Sequence, residues 1–526
     1  MDERELVVKL ELEAITPIRT GNYKGLPYDI KKNIASEPFA SSLKGVWRWW
    51  SRVAVVSACG SETDYIEAER YLSRIFGGVK SKEEISEASN YTVMVSNVRF
   101  SDNFERDVNQ VMRETDTFFE ALKKVIRQLN SIPGLSSAGL YASINPLQPK
   151  IATDNPRSLP SNKREIIERI QKIINMEEFK KYNLYSARNT QPQNRLFNNK
   201  GKLDITLHIP YQQAVGKYLQ IPRVKLILMP RSDMNETDKL RVNDEESCLG
   251  YHGRVKSELA AVYTEGMKFD VSVYSRQKAM LVFVLTTLLL AIIFGGIGSF
   301  TKRGFGSLKI NSVQFGNLDS TPEFKEIREI YEKIKDGNVD KESFRDILNR
   351  LVRIAIASAP RGSNLSNSQK NLTPKVPSLS RFDLEVCDSG SRSVDNLKNV
   401  GEAFLKNTYK GVLRHPSRYI HTWIYGLPRS HPGKGSSLTG YLLTDEISPT
   451  PKPRRISSIG VRFFGSQRFM IIYGMLSRDW NYDKLIHNGK SGSKNVADIL
   501  SEKGENLESV YKTMFKLVKD KLCGAI

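Results

Sequence analysis

From Ala279 to Phe294 the chain reads AMLVFVLTTLLLAIIF, and no charged residue intervenes between Lys278 and Lys302. A segment apolar on all its faces has two destinations, the hydrocarbon of a bilayer or the interior of a folded protein. The apolar run is 16 residues long, short of the ~20 that a spanning helix needs. Its flanks also favour the interior. Phe269 to Tyr274 alternates apolar and polar residues in the manner of a strand. After the run, a glycine-rich turn leads into Leu308-Lys309-Ile310-Asn311-Ser312-Val313, a second strand pattern. The reading is strand, buried helix, loop, strand, with no membrane among the expected partners.

The rest of the chain supplies elements to cover that helix. Arg4 to Ile15 alternates valine or leucine with charge and predicts a long opening strand. Ser41 to Ser57 predicts a helix with Leu43, Val46, Trp47, Trp50 and Val53 near one face. Further helices are expected at Tyr65 to Phe76, Gln110 to Asn130 and Lys163 to Tyr182, and strands at Tyr91 to Phe100, Leu203 to Ile209 and Val224 to Met229. Four prolines between Ser143 and Lys163 mark a loop. Helices at Thr321 to Lys335 and Lys341 to Ser358 suit a bridge to a second unit. A polar loop spans Arg361 to Ser380. Then come a strand at Arg381 to Val386, a helix at Val394 to Tyr409, a basic loop-rich stretch to Arg455, strands at Ile456 to Phe464 and Phe469 to Leu476, and one closing helix from Val496 to Leu522. The class is α+β, and the similar element mix of the two halves permits a duplicated sandwich.

Charge narrows the partner. Lys and Arg number 79 against 58 Asp and Glu, a formal charge of +21 in 526 residues, which favours polyanions. The four cysteines, Cys59, Cys248, Cys387 and Cys523, lie far apart with no CxxC pair, arguing against a zinc module and a disulfide framework. With an acidic start at Met1-Asp2-Glu3, the expectation is a cytoplasmic protein without a signal peptide.

Two constellations can meet phosphate. In the first, Ile15-Thr16-Pro17-Ile18-Arg19-Thr20-Gly21 ends a strand, and Ala40-Ser41-Ser42-Leu43-Lys44-Gly45-Val46-Trp47-Arg48-Trp49-Trp50-Ser51-Arg52 opens a helix. Its first turn offers unpaired N–H groups, and Lys44, Arg48 and Arg52 recur every four residues on one face. The alternative is a core helix with a solvated basic stripe. The second runs from Gly295 to Ser307, GGIGSFTKRGFGS, with five glycines, two adjacent cations, and Phe300 or Phe305 available to stack on a base. No GK[ST] follows, so it is no Walker loop. Arg303-Gly304-Phe305-Gly306 is similar to the start of an RNA-recognition signature, from which Ser307 and Leu308 depart. The alternative here is a plain glycine connector.

The ITPxxTG strand end, the SSxKGxxRWW helix and the late GGIGSxTxRGFGSL loop together resemble the CRISPR-associated RAMP superfamily, in particular the family of subunits numbered one in type III-B Cmr effector complexes. A third patch, Gly426-Leu427-Pro428-Arg429 with Arg454-Arg455-Ile456-Ser457-Ser458-Ile459 and Arg462-Phe463-Phe464, is similar to the second half of such proteins, with Ser458 where proline is common. Asp102 to Gln220 matches no motif. The resemblance implies two ferredoxin-like, RRM-like βαββαβ RAMP domains with helical insertions. Their expected bounds are 1–316, with an insertion at about 102–220, and 317–526. It further implies partners: the 3′ region of a guide crRNA, target RNA, and other Cmr-complex RAMP subunits. The RNA-facing positions it implies are Thr20, Gly21, Ser41, Ser42, Lys44, Arg48, Trp49 and Arg52; Gly298, Ser299, Lys302, Arg303, Gly304 and Phe305; and Arg429, Arg454 and Arg455.

Catalysis is not expected. Metal-independent RNA cleavage needs a general base near pKa 7, and the related endoribonucleases place a histidine soon after the first strand. Here the first is His208, and His252, His415, His421, His431 and His487 are scattered, with the cluster at 415–431 read as RNA-contacting or exposed. No DxD, HD or HxxxH group marks a metal site, and no cofactor motif occurs. The alternative is a CRISPR-transcript-processing endoribonuclease. From Lys410 to Met470, ten Lys and Arg face two Asp and Glu, interleaved with Tyr419, Trp423, Tyr425, Phe463 and Phe464. That mixture suits single-stranded RNA or a subunit interface.

Overall fold

The computed structural model describes residues 4–20, 28–29, 34–35, 40–78, 89–132, 140–143, 150–153, short stretches between 165 and 241, 260–278, 280–318, 321–336, 339–360, 373–390, 393–409, 421–426, 429–432, 438–443, 457–465, 469–480, 484–489 and 492–524. The chain forms two compact units. One comprises Met1–Arg19, Glu37–Ser101 and Glu265–Ile526; the other comprises Thr20–Ser36 and Asp102–Thr264.

The first unit opens with β1 (Glu5–Ala14), whose alternation of valine and leucine with charge buries every second side chain from Val8 onward. Helix α1 (Ala40–Cys59) follows, then α2 (Tyr65–Phe76) and β2 (Tyr91–Arg99). Asp64 starts α2 by accepting the Ile66 and Glu67 N–H groups, each at 2.9 Å. The chain then enters the second unit with α3 (Phe104–Asn130), which buries Phe104, Val108, Val111 and Leu129. Short antiparallel strands within 140–241 form a sheet there. Returning, the chain makes β3 (Lys268–Ser275), α4 (Leu281–Leu290) and β4 (Leu308–Phe315).

The sheet order is β4-β1-β3-β2, antiparallel throughout. The expected strand, helix, strand therefore holds, and α4 is the buried helix. Phe283 to Leu290 are all buried, and α4 packs against α1. Trp47 donates its indole N–H to Thr287 Oγ1 at 3.0 Å, Ser51 reaches the same oxygen at 2.9 Å, and Thr287 donates to the Phe283 carbonyl at 2.8 Å. Among the described residues no helix is long and apolar enough to cross a membrane.

Helices α5 (Pro322–Asp336) and α6 (Lys341–Ala357) cover the far side of α4, with Tyr331 Oη donating to the Leu285 carbonyl. Strand β5 (Phe382–Asp388) and helix α7 (Ser393–Ala403) lead into the second half. Two corrections belong there. The stretch read as basic loop contains β6 (Arg429–Pro432) and β7 (Leu438–Leu443), which form a second sheet with two later strands. The four residues of β6 and the six of β7 carry too little alternation to declare a strand. After β8 (Ile459–Phe464), β9 (Phe469–Met475), β10 (Leu485–Gly489) and β11 (Gly492–Asn495), the closing segment is two helices, α8 (Val496–Glu502) and α9 (Leu507–Leu522). Gly504 takes a positive φ between them, and Asn506 with Ser509 starts α9 afresh as a capping box.

Strands β5, β9 and β8 form an antiparallel sheet in that order. One core runs through both halves of this unit, from Leu10, Trp50 and Leu288 to Phe344, Phe464, Ile471 and Tyr473. Cys387 and Cys523 are joined as a disulfide, Cα atoms 5.6 Å apart, which corrects the argument against disulfides; Cys59 is a buried thiol whose Sγ lies 3.9 Å from the Pro360 carbonyl. A sequence separation of 136 hides the pair from any spacing rule. The expected strand at 224–229 lies outside the described residues.

Candidate nucleic-acid interface

Helix α4 does not end cleanly. Its last turn, Ala291–Gly295, widens to π geometry, and the Gly296 N–H closes it on the Ala291 carbonyl at 2.8 Å. The glycine loop then folds onto the residues after β1. Ile297 N bonds Gly306 O at 3.1 Å, Gly306 N bonds Pro17 O at 2.9 Å, and Ser299 N bonds Arg19 O at 2.9 Å. Thr16 Oγ1 donates to Gly304 O at 2.7 Å and accepts from Ser307 N at 2.9 Å. Two motifs some 280 residues apart are thus one structure. Gly298 explains its own identity: a Cβ there would strike the Arg19 carbonyl.

The loop is gripped from the other side by Arg462 of β8. This arginine is 0% exposed, and among the described residues no carboxylate pairs with it. Its Nη1 donates to Thr301 O at 2.9 Å and to Phe305 O at 2.6 Å, and its Nη2 to Gly306 O at 2.6 Å. Burial lowers its pKa to about 10, so it remains charged at neutral pH. Carbonyl dipoles replace the missing carboxylate. Arg462 is not among the positions that the sequence assigned to the interface, but a signal exists: it is a lone cation in the apolar run Ile459-Gly460-Val461-Arg462-Phe463-Phe464.

The two loop cations also turn inward to protein. Lys302 Nζ donates to Ser457 O at 3.0 Å and lies 5.4 Å and 5.3 Å from the ring centres of Trp49 and Tyr473. Arg303 Nη2 donates to Tyr425 O at 2.7 Å, and its guanidinium sits 3.5 Å over the Phe404 ring. Backbone pairing continues the contact, with Val461 N on Lys302 O at 3.2 Å. Phe305 is buried with the core, whereas Phe300 is 38% exposed.

On α1, Ser41 and Ser42 are exposed and Trp49 is half-buried, edge-on to Trp50. Lys44 donates to Ser89 Oγ at 3.0 Å; partial burial, then the neighbouring Arg48 and Arg4, lower its pKa. Arg48 Nε reaches Glu69 Oε1 at 2.6 Å and Arg52 Nε reaches Glu69 Oε2 at 3.0 Å. One carboxylate from α2 therefore serves two arginines, and the stripe keeps a net positive charge. Thr20 is buried. Arg429 pairs through its backbone with Tyr441. Gly21, Arg454 and Arg455 lie outside the described residues.

On the outer sheet face, charged side chains pair with one another. Lys9 pairs with Asp270, Arg99 with Glu11 and Lys268 with Glu13. His421, expected in an exposed basic loop, is buried instead. Its Nε2 lies 2.8 Å from Glu505 Oε2 and its Nδ1 accepts from Trp423 Nε1 at 3.2 Å. Desolvation lowers its pKa against the opposing pull of Glu505.

Comparison with known proteins agrees with this arrangement. The chain is 25% identical over 228 residues, 41% of its length, to the Cmr1-1 subunit of the Pyrococcus furiosus CRISPR Cmr system. It is 21% identical over 376 residues, 66% of its length, to the Cmr1 subunit of the Saccharolobus solfataricus CMR system. These matches span 60% and 65% of the relatives' own lengths, less than two thirds of each. In fold it is similar to a chain of the type III-B Cmr-beta structure solved with cognate target RNA and AMPPnP, with a TM-score of 0.52, 13% identity, and coverage of 98% of this chain and 99% of that one. The family model of the RAMP superfamily matches residues 11–309, which include both the post-β1 segment and the glycine loop. The chain belongs to the RAMP superfamily.

Proposed function

We propose that this protein is a non-catalytic RNA-binding subunit of a type III-B CRISPR–Cas Cmr complex. In this reading it holds the 3′ region of the guide crRNA, helps capture target RNA, and packs against other RAMP subunits. The observation that carries the reading is the joining of the Thr16–Arg19 segment to the Gly296–Ser307 loop, with Arg19, Lys302 and Trp49 around it. Contacts to phosphate rather than to base edges suit a guide of any sequence.

The fold reading goes with it. Numbered along the chain, the first sheet runs four-one-three-two, with helices after strands one and three, which is the ferredoxin-like order. The second half repeats one-three-two with β5, β9 and β8; α7 follows its first strand, and β10, β11 and then α8 follow its third. We therefore read 1–316 and 317–526 as two RAMP domains, the first carrying the insertion.

Binding of a single-stranded RNA oligonucleotide at several salt concentrations tests the interface. Changing Arg19, Lys44 and Arg48 to alanine together is expected to weaken binding at least tenfold and to flatten its salt dependence. Equal binding by this variant sinks the surface. Incubation with CRISPR transcripts in EDTA tests the endoribonuclease alternative, and no defined cuts are expected.

A further inference from the structure

Phe300 stands out on the glycine loop for two independent reasons. Its φ is +63°, a left-handed conformation that bulky side chains avoid. Its ring is 38% exposed, while the loop's other apolar side chains, Ile297 and Phe305, are buried. The backbone holds it there from both sides. Ser299 N is tied to Arg19 O, Arg303 N donates to Phe300 O at 2.8 Å, and Arg462 fixes the Thr301 carbonyl. The surrounding fold thus enforces a conformation that burial of the ring does not repay, and strain kept in this way accompanies binding sites.

What would cover the ring follows from its neighbours. Among the described residues, the other exposed large apolar side chains are Ile66 on α2, Met94 on β2 and Met280 at the start of α4. Each stands on a separate element, so among the described residues Phe300 joins no apolar patch of the kind a protein partner needs. Arg19, whose Nη1 lies 3.4 Å from Ser299 Oγ, is the cation beside it, Lys302 being turned to Ser457 O. A lone aromatic ring beside a cation matches single-stranded nucleic acid, in which flat bases alternate with phosphates. We infer that Phe300 is the stacking platform for one unpaired nucleobase of the bound RNA, an inference that rests on the RNA-binding reading above.

The test uses the full chain, a fluorescent single-stranded RNA oligonucleotide, and a set of oligonucleotides in which each base in turn is abasic. F300G removes the ring and relieves the left-handed strain, so it is expected to unfold at the same or a higher temperature than wild type. It is also expected to bind RNA about tenfold more weakly, whereas F300Y binds within about twofold of wild type. With wild type, one abasic position lowers affinity about tenfold, and F300G is insensitive to that position. Undiminished binding by F300G, or equal abasic sensitivity in both proteins, overturns this inference alone. Wild-type protein that binds no RNA overturns the RNA-binding reading and takes this inference with it.

Discussion

The guanidinium of Arg462 fills the space that a side chain on Gly296 would need. A Cβ built on Gly296 collides with Nη2 and Cζ of Arg462, and Gly296 itself holds φ +68° to close the last turn of the helix. A buried cation from the second half and a bare backbone from the first are therefore a matched pair. Neither residue has room to change alone.

The first prediction concerns this pair. G296A meets both a clash and a disfavoured φ, and is expected to cost about 2–4 kcal/mol in chemical denaturation. R462M keeps the bulk but removes three hydrogen bonds to loop carbonyls, with an expected cost of about 3 kcal/mol. Denaturation midpoints within error of wild type for both would show that the clamp does not hold the loop.

Glu69 restrains the basic stripe of α1 by serving Arg48 and Arg52 together. E69Q should release both toward RNA, tightening binding at low salt and steepening the slope of log affinity against log salt by about one. The three side chains are partly exposed, so the stability cost should stay below about 1 kcal/mol. A lower affinity in E69Q would place the stripe away from the RNA.

Thr287 is the polar centre of the apolar helix. T287V removes the acceptor shared by Trp47 and Ser51 and leaves two buried donors unpaired. A loss of about 2 kcal/mol is expected, read by thermal or denaturant unfolding, and T287S should recover most of it.

His421 makes stability depend on pH. Its folded pKa lies below the ordinary 6.5 because burial opposes the charged form, so the unfolded chain binds the proton more readily. Its contribution is full above about pH 6.5 and is lost as pH falls through the lower, folded value. H421Q should flatten the fall in unfolding free energy on this acid side, and a profile identical to wild type would assign the fall to other groups.

Much of the fold is legible in the sequence where one period dominates. The alternation of Glu5–Ala14, the apolar run ahead of the glycines and the face of α1 declare their elements, because burial on one side or on all sides dictates those patterns. Legibility fails where the decisive partner is distant. Lys302 and Arg303 read as exposed phosphate ligands, yet they satisfy carbonyls of Ser457 and Tyr425. Arg462 reads as one more cation in a basic stretch. Its role depends on β8 reaching the loop some 160 residues away. His421 follows the same rule, since Glu505 and Trp423 surround it only after the closing helices fold back.

Strand β1 hydrogen-bonds to β3 on one side and β4 on the other, the latter beginning at Leu308. A ribosome adding roughly 5–20 residues per second needs roughly 13–50 s to travel from the end of β1 to the start of β3, the earlier of the two to be made. For that interval the nascent amino-terminal strand, with Val7, Val8, Leu10 and Leu12 destined for the core, has neither neighbour. Both of its edges are open to pairing with other chains. During synthesis, therefore, it is the first strand of the sheet that most needs shielding by a chaperone.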